Sequence, residues 1–491
     1  MKSPGSQTFM GGIGWMTASN TTAQVFTWIA TFYIVRLLTP EDYALVGMSG
    51  LLVGIIVLIG DFGLNSSIIQ KKTELTHQEL SSLFWQYVII GLTLSGIVNL
   101  AAPLGAMFWG EERVLGLIRL SSLVIIFVSL SQVPMALMQK KMHFKRYGLI
   151  LSVTSVCGSI VTIILAYSEM GPYSLILGTV FMSILKLILF SVYEPFKPAL
   201  HYSFKENIDH LKFGGTVTLD RYLWWYYSKC DSWFASKFLS VNMFGVYSVA
   251  INLASMPIDK INAVVRPVSF PAFSKINNDN EREELFLKVT KYMAFLAFPI
   301  FIGLYWIADD FIPLVLGDSW IEATFIFKCL VLVFPLRCVA TVYSTYLLSI
   351  RRADIGVKNN LIGSLLATIF FATGVQFGLD GLAYSWLAFY PLFNIVCIHN
   401  NSKVTNISFL RYWIAMKKAA ICVLFMSATI LIYKYMFNHY FTIIDIHSIL
   451  LVVKIFTTIV LGVLSYVLSV YIIDKDSILE IKKLLVSRRF N

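Results

Sequence analysis

Long apolar runs recur along the whole chain, and they constrain its fold more than any other feature of the sequence. A helix needs about 20 consecutive, mainly apolar residues to cross the hydrocarbon core of a bilayer, and about fourteen runs of that length are present. Only 14% of the residues are charged, well below the roughly 25% of a soluble domain. The sequence therefore predicts an all-α polytopic membrane protein with about 14 transmembrane helices.

Basic residues occupy every second connection between the predicted helices. The basic connections include Lys71-Lys72, Lys140-Lys141, Arg351-Arg352 and Lys417-Lys418, whereas the intervening connections, such as the one predicted at Asp309-Asp310, are short and poor in Lys and Arg. By the positive-inside rule, cytoplasmic loops hold the excess of Lys and Arg. We therefore expect both termini in the cytoplasm, and the net charge of +11 reflects membrane topology rather than nucleic-acid binding.

The first apolar stretch and the cysteines bear on processing and on cofactors. The stretch is too long and too rich in Thr and Asn for a signal peptide and lacks a small-residue cleavage site, so we expect a retained first helix. The six cysteines lie in or beside apolar runs, without the spacing of metal ligands. We expect no disulfide, no metal site and no cofactor.

Polar residues form a stripe along the predicted first helix. They follow one another at spacings of three, four, three and four residues, which places them on one helical face. The residues of the stripe are Thr17, Asn20, Gln24, Thr27 and Thr31. Such a stripe indicates either a helix that lines a cavity or a helix that packs polar groups against a neighbour. In the first case Asn20 and Gln24 are candidates for binding a polar substrate.

The predicted seventh helix, residues 211–231, carries charges inside an apolar run. Charges within a membrane span are expensive and mark functional positions by default. The charged residues are Asp220, Arg221, Lys229 and Asp231. Spacings of four, four, three and four place a polar and aromatic set on one face. That set is Thr216, Asp220, Trp224, Tyr227 and Asp231. We expect this face to contact water or a polar ligand rather than lipid.

The second half of the chain repeats the first. A shift of 201 positions pairs Arg36-Leu37-Leu38-Thr39 with Lys237-Phe238-Leu239-Ser240, and Pro134 with Pro335. Repeats with an even number of helices share one orientation in the membrane, as in transporters whose site lies at the repeat interface. We predict two pseudo-twofold six-helix bundles and two further C-terminal helices. The predicted bounds are 1–195 for the first bundle, 196–212 for a cytoplasmic linker, 213–402 for the second bundle, and 403–491 for the last helices with a basic tail.

Several short motifs carry a resemblance to a known family. They are Arg36-Leu37-Leu38-Thr39-Pro40-Glu41-Asp42-Tyr43, Asp61-Phe62-Gly63-Leu64, Gly245-Val246-Tyr247-Ser248-Val249-Ala250, residues 267–274 (P-V-S-F-P-A-F-S), Gly317-Asp318-Ser319-Trp320 and Asp380-Gly381-Leu382-Ala383. Because these motifs follow one another in this order, the chain resembles the polysaccharide transport (Wzx-like) flippases of the multidrug, oligosaccharidyl-lipid and polysaccharide (MOP) exporter superfamily. The resemblance implies two bundles around a central cavity and export of an undecaprenyl-diphosphate-linked oligosaccharide by alternating access. Ala44 departs from the family pattern, which often has glycine after the aromatic residue.

Three cations inside predicted helices are candidates for binding the diphosphate that the resemblance implies. They are Arg221, Arg337 and Lys186. A diphosphate in a low-dielectric cavity needs cations, and the planar fork of arginine binds phosphate oxygens at two points. Each cation also has a structural alternative. Arg221 can pair with Asp220, and Arg337 can hydrogen-bond inside a helix broken at Pro335. Lys186 can instead snorkel to the membrane surface.

The aromatic run Trp224-Trp225-Tyr226-Tyr227 has two interpretations. Sugar rings stack on aromatic planes, but Trp and Tyr also form the interfacial belt of membrane proteins. Since successive helical residues point in different directions, only Trp224 and Tyr227 share the polar face, and we predict that these two bind sugar. Asp220 and Asp231 are candidates for coupling to protons or sodium, although a nearby cation can neutralise either.

Two other function classes compete with the flippase. A multidrug exporter of the same superfamily is expected to have more acids than bases in its cavity, whereas the mid-membrane cations here outnumber the acid Asp220. A polysaccharide polymerase or ligase is expected to carry a large external loop with catalytic residues, and the outer connections are short. We therefore predict a flippase and not an enzyme, in a bacterial cytoplasmic membrane. Its expected partners are a lipid-linked oligosaccharide, membrane lipids, and a polysaccharide polymerase or export machinery.

Overall fold

The described part of the chain is helical. The computed structural model describes residues 23–60, 76–203, 222–405, 407–441 and 448–475. Within these ranges the chain forms helices joined by short turns and by one longer non-helical segment, 194–203, and contains no β-strand, which confirms the predicted all-α fold. Contacts divide the chain into two compact units, Met1–Ser248 and Val249–Asn491.

The first unit contains α1 to α7 and the start of α8. Their bounds are Ala23–Leu37 (α1), Pro40–Gly60 (α2), His77–Trp109 (α3), Arg113–Lys140 (α4), Phe144–Tyr167 (α5), Pro172–Tyr193 (α6), 222–238 (α7) and Val241–Lys275 (α8). α7 packs on the C-terminal end of α3, where Nε1 of Trp109 donates a hydrogen bond of 3.0 Å to Oγ of Ser236. The rings of Trp109 and Trp233 stack beside this bond.

The second unit contains α9 to α14. Their bounds are Asp279–Leu316 (α9), Ala323–Ser349 (α10), Ala353–Gly374 (α11), Gly378–Ser402 (α12), Phe409–Phe441 (α13) and Ser448–Ile473 (α14). α10 packs against α9 and α12, and both α13 and α14 pack against α9. Large aromatic side chains such as Phe334, Trp386 and Tyr412 are fully buried in this unit.

The helices are long enough for a membrane protein. Eleven helical segments of the described residues are long and apolar enough to cross a bilayer. One of them, Ala353–Ser402, has 50 residues and comprises α11 and α12, whereas a single crossing needs only about 20. The polytopic class is therefore confirmed. The count of 14 spans remains a prediction, because parts of two predicted helices lie outside the described residues.

Equivalent positions of the sequence repeat begin α2 and α8 in the same way. Oγ1 of Thr39 accepts a hydrogen bond from the N–H of Asp42, and the carboxylate of Asp42 accepts one from the N–H of Thr39. Ser240, which the repeat pairs with Thr39, accepts a hydrogen bond of 3.2 Å from the N–H of Met243. Both helices thus begin with a hydroxyl N-cap. The division into two compact units rests on contacts and does not measure a sequence repeat. The predicted repeat boundaries at 196–212 and 403 therefore remain predictions.

The N-terminal ends of α2 and α8 cross closely. A Cβ at Gly245 would overlap the carbonyl oxygen of Pro40, and Gly47 lies against Phe244 and Ser248. Small residues at a crossing let two backbones approach in a membrane protein. The absence of a side chain at Gly245 is therefore what permits this contact between α2 and α8.

Candidate functional site

Asp231 is fully buried and hydrogen-bonded to the next helix. It lies eight residues before the turn at 239–240 that joins α7 to α8, and Tyr247 lies seven residues after it, so the two residues meet at one level. Oη of Tyr247 donates a hydrogen bond of 2.5 Å to Oδ2 of Asp231, and Oγ of Ser232 lies 3.5 Å from Oδ1. A buried carboxylate held in this way is a position that can bind a proton or a cation.

The predicted polar face of α7 divides into a buried and an exposed part. Tyr227 is 6% exposed and lies on the buried side with Asp231, whereas Trp224 is 54% exposed. Trp225 is half-buried and packs against Gly54 of α2. The structure therefore brings Tyr227 and Asp231 into the interior of the first unit and leaves Trp224 at its surface.

The polar stripe of the first helix lies partly outside the described residues, as do Asn20, Asp220 and Arg221. Gln24 is half-buried on α1. Oγ1 of Thr27 lies 2.9 Å from Oγ of Ser155 on α5. At Thr27 the stripe thus packs a polar group against a neighbouring helix, which is the second of the two interpretations given above.

Lys186 lies inside α6 without a carboxylate partner among the described residues. It is half-buried, and fourteen residues separate it from the start of α6, which corresponds to about 21 Å along the helix. Its long apolar stem can pack along the helix while the ammonium group reaches a polar environment. Lys186 therefore remains a candidate for contact with an anionic substrate.

Arg337 is held against aromatic rings in the second unit. Cζ of Arg337 lies 5.2 Å from the ring centroid of Phe334 and 5.6 Å from that of Trp386. Within the described residues no carboxylate pairs with this half-buried guanidinium. A cation–π contact involves the ring face and uses none of the five N–H donors. The donors of Arg337 can therefore bind phosphate oxygens while the aromatic rings fix the position of the side chain.

A buried charge cluster that the sequence did not predict joins three helices of the second unit. Nζ of Lys454 on α14 lies 2.9 Å from Oδ1 of Asp310 on α9, and Nζ of Lys434 on α13 lies 3.3 Å from Oδ2. Lys434 also donates a hydrogen bond to the carbonyl of Trp306. We call Asp310, Lys434 and Lys454 the first triad.

A second triad joins the same three helices at their opposite ends. Asp474, which follows α14, accepts a hydrogen bond from Lys418 of α13 at 2.7 Å and forms an ion pair with Lys291 of α9 at 2.5 Å. The side chain of Asp474 is 1% exposed. We call Asp474, Lys418 and Lys291 the second triad.

The distance between the triads matches the thickness of a membrane. Lys291 and Asp310 are nineteen positions apart on α9, which is about 28 Å along a helix, and the hydrocarbon core is about 30 Å thick. The triads therefore lie near the two surfaces of the hydrocarbon core and hold α13 and α14 to α9. Their signal in the sequence is a charged residue at each end of three apolar runs.

Comparison with curated proteins finds relatives with related names. A family model described as "Polysaccharide biosynthesis protein" matches residues 33–325. The lipopolysaccharide biosynthesis protein WzxC of Escherichia coli (strain K12) is 28% identical over 336 residues, 68% of each chain. The teichuronic acid biosynthesis protein TuaB of Bacillus subtilis (strain 168) is 26% identical over 342 residues, 69% of this chain and 70% of the relative. The succinoglycan biosynthesis transport protein ExoT of Rhizobium meliloti (strain 1021) is 23% identical over 321 residues, 65% of this chain and 64% of the relative.

Comparison with solved structures concerns the fold. The lipid II flippase MurJ in an inward closed conformation gives a TM-score of 0.69 at 16% identity, with 94% of this chain and 99% of that chain covered. A MOP superfamily transporter from Pyrococcus furiosus gives 0.56 at 14% identity, with 80% of this chain and 94% of that chain covered. At these identities the likeness shows a shared fold.

Proposed function

Since the chain belongs to the polysaccharide biosynthesis protein family, we propose that it is a flippase of surface polysaccharide synthesis. It translocates an undecaprenyl-diphosphate-linked oligosaccharide repeat unit across the cytoplasmic membrane of a bacterium by alternating access. The polymer made from these units is an exopolysaccharide, a capsule or an O-antigen. Translocation makes and breaks no covalent bond, so the protein is not an enzyme.

The names of the relatives support this function. Three of them are named for the biosynthesis of lipopolysaccharide, teichuronic acid and succinoglycan, and the third is named a transport protein. The fold is shared with the lipid II flippase MurJ, so this architecture is compatible with a lipid-linked substrate.

The environment of Arg337 is the observation that best supports an anionic substrate. A half-buried guanidinium inside an apolar helix is costly unless it has a partner, and the described residues supply aromatic rings but no carboxylate. Phosphate is a suitable partner because arginine can bind two of its oxygens at once. We assign Arg337 to the diphosphate, with Arg221 and Lys186 as further cations.

The sugar part of the substrate is assigned to polar and aromatic side chains of α7 and the first helix. Trp224 offers a ring plane on which a sugar ring stacks, and Asn20 and Gln24 offer amide groups that hydrogen-bond hydroxyls. Tyr227, which is 6% exposed, can join them only in a conformation that uncovers its ring. The exposure of Trp224 supports its availability to a ligand.

Asp231 is the carboxylate that best suits ion coupling. Its burial and its hydrogen bond from Tyr247 support this role, because a bound proton or sodium ion changes the local charge and the bonding of the tyrosine hydroxyl. Asp220 is the second candidate. Both termini face the cytoplasm in this proposal, and a polymerase or export machinery receives the translocated unit.

Deletion of the gene in its host tests the proposed function. We expect the loss of one surface polymer and the accumulation of its lipid-linked repeat unit on the inner side of the membrane. The measurements are the composition of the surface glycans and the accessibility of the lipid-linked pool to an enzyme added outside.

Two other results contradict the flippase. Unchanged surface glycans together with new drug sensitivity indicate the multidrug exporter. Accumulation of single repeat units on the outer side indicates a polymerase, because translocation has then occurred without the deleted protein.

A further inference from the structure

α9 and α13 border an open pocket that the proposed transport does not use. The pocket lies near the N-terminal ends of both helices and has a volume of about 420 Å³. Its cations are Lys288, Lys291 and Arg411, and its apolar surface includes Leu287, Tyr292 and Ile414. The pocket therefore combines positive charge with apolar surface.

The pocket lies where both helices change from charged to apolar sequence. α9 begins with many charged residues, but residues 292–307 are uncharged. α13 changes in the same way after Lys418, since residues 419–433 are uncharged. As helices these runs extend about 22–24 Å, which is most of the roughly 30 Å of the hydrocarbon core. The pocket is therefore at the level of lipid headgroups, on the side of the membrane where the basic loops lie.

Among the described residues that line the pocket, three are basic and none is acidic. Lys291 shares the single carboxylate of Asp474 with Lys418, so the second triad carries one surplus cation. Nη1 of Arg411 lies 3.9 Å from Oε2 of Glu283, which is too long for a hydrogen bond. In the part of the chain that the structure describes, no acceptor lies within hydrogen-bond distance of this guanidinium. Its donors are therefore available to an anionic ligand.

We propose that this pocket binds an anionic phospholipid, with the headgroup phosphate on Arg411 and Lys288 and the start of an acyl chain on Leu287 and Ile414. Basic pockets between transmembrane helices bind anionic lipid headgroups, and arginine contacts two phosphate oxygens at once. A bound lipid connects α9 to α13 beside the second triad. The site is separate from the predicted substrate residues and does not depend on what the protein transports.

The shape and position of the pocket favour a phospholipid over other phosphates. Free phosphate has no apolar part that could contact Leu287 and Ile414. A phosphoglycerol headgroup is small enough for a volume of about 420 Å³, and because the pocket is open, the acyl chain can extend out of it. The lipid of choice for a test is therefore phosphatidylglycerol, with phosphatidylcholine as the zwitterionic comparison.

Binding to the full-length protein in detergent tests the proposal. Phosphatidylglycerol retained by the protein is counted by native mass spectrometry, and its affinity is taken from a titration. Removing one charge-assisted contact weakens binding about tenfold, so Arg411→Gln and Lys288→Gln each reduce the affinity by that factor, and the double variant reduces it further. Lys417→Gln is the matched control, because Lys417 is exposed on α13 but does not line the pocket. Arg411→Lys retains part of the affinity.

Three results overturn the proposal. The first is equal binding of phosphatidylglycerol by the double variant and by Lys417→Gln. The second is a rise in the melting temperature of the protein with inorganic phosphate that equals the rise with phosphatidylglycerol. That result indicates a site for free phosphate. The third is displacement of phosphatidylglycerol by undecaprenyl diphosphate at equal concentration, which assigns the pocket to the transported lipid.

Discussion

Lys454 and Asp310 form a buried ion pair between the last helix and α9. Nζ of Lys454 lies 2.9 Å from Oδ1 of Asp310, and each residue is 8% exposed. The neighbouring Asp309 differs, because it pairs with Lys328 and its side chain is 53% exposed. Two adjacent aspartates therefore have different environments, which makes them a matched pair for experiment.

Asp310→Ala is expected to destabilise the protein much more than Asp309→Ala. Removing Asp310 leaves two buried lysines without their carboxylate, and breaking a buried pair in this way costs about 3–5 kcal/mol. An exposed pair such as that of Asp309 contributes less than about 1 kcal/mol. The melting temperature of the purified protein in detergent measures the difference. Equal melting temperatures for the two variants would show that the first triad does not stabilise the fold.

Gly245→Ala is expected to separate α2 from α8. Its Cβ would overlap the carbonyl oxygen of Pro40, so the backbones must move apart, and overpacking of this kind costs about 1–3 kcal/mol. We expect a lower melting temperature and reduced surface polysaccharide in a complemented deletion strain.

Gly303→Ala is the control for this prediction. Gly303 lies within α9, and a Cβ there would meet no atom within 4 Å, while alanine favours a helix over glycine by about 1 kcal/mol. We expect this variant to keep or raise the melting temperature and to support polysaccharide synthesis. Loss of synthesis in both variants would point to a general intolerance of glycine replacement and not to the contact with Pro40.

The membrane class could be predicted from the sequence because it depends on a local property. The length of an apolar run needs no knowledge of distant residues. The motif glycines acquire a physical reason only in the structure. A Cβ at Gly245 would overlap Pro40, and one at Gly381 would overlap the carbonyl of Gly374.

The triads could not be predicted, because each joins residues that are far apart in the chain. The sequence places Asp309-Asp310 in a connection between helices, but α9 continues to Leu316 and buries Asp310. Lys454 stands in the last apolar run, and only the structure shows that it contacts Asp310. Helical periodicity has a related limit on α7. It gives the direction of Trp224 and Asp231 around the helix, but they are seven residues apart, about 10 Å along the axis, and have different surroundings.

Arg337→Gln is expected to reduce transport strongly in the proposed flippase. The loss of a charge-assisted bond to phosphate costs about 1.5–3 kcal/mol, which corresponds to a decrease of about tenfold to a hundredfold. Arg337→Lys keeps the charge but not the planar fork and is expected to retain part of the activity. Flipping of a labelled lipid-linked oligosaccharide in proteoliposomes measures the effect.

Lys328→Gln is the control for Arg337, since both cations belong to α10 and Lys328 is bound to Asp309. We expect this variant to transport at the rate of the unmodified protein. Normal transport by Arg337→Gln in the same assay would remove Arg337 from the substrate site.

Asp231→Asn is expected to abolish the response of transport to an ion gradient if Asp231 binds the coupling ion. The amide has nearly the shape of the carboxylate but cannot take up a proton or balance the charge of sodium. Tyr247→Phe keeps the carboxylate and removes the hydrogen bond to Oδ2, so it is expected to retain the response with a changed ion affinity. Asp318→Asn changes an exposed aspartate in the same chemical way and is expected to behave as the unmodified protein. Flipping in proteoliposomes under imposed proton and sodium gradients distinguishes these outcomes. A rate in the unmodified protein that is independent of both gradients would exclude ion coupling at Asp231.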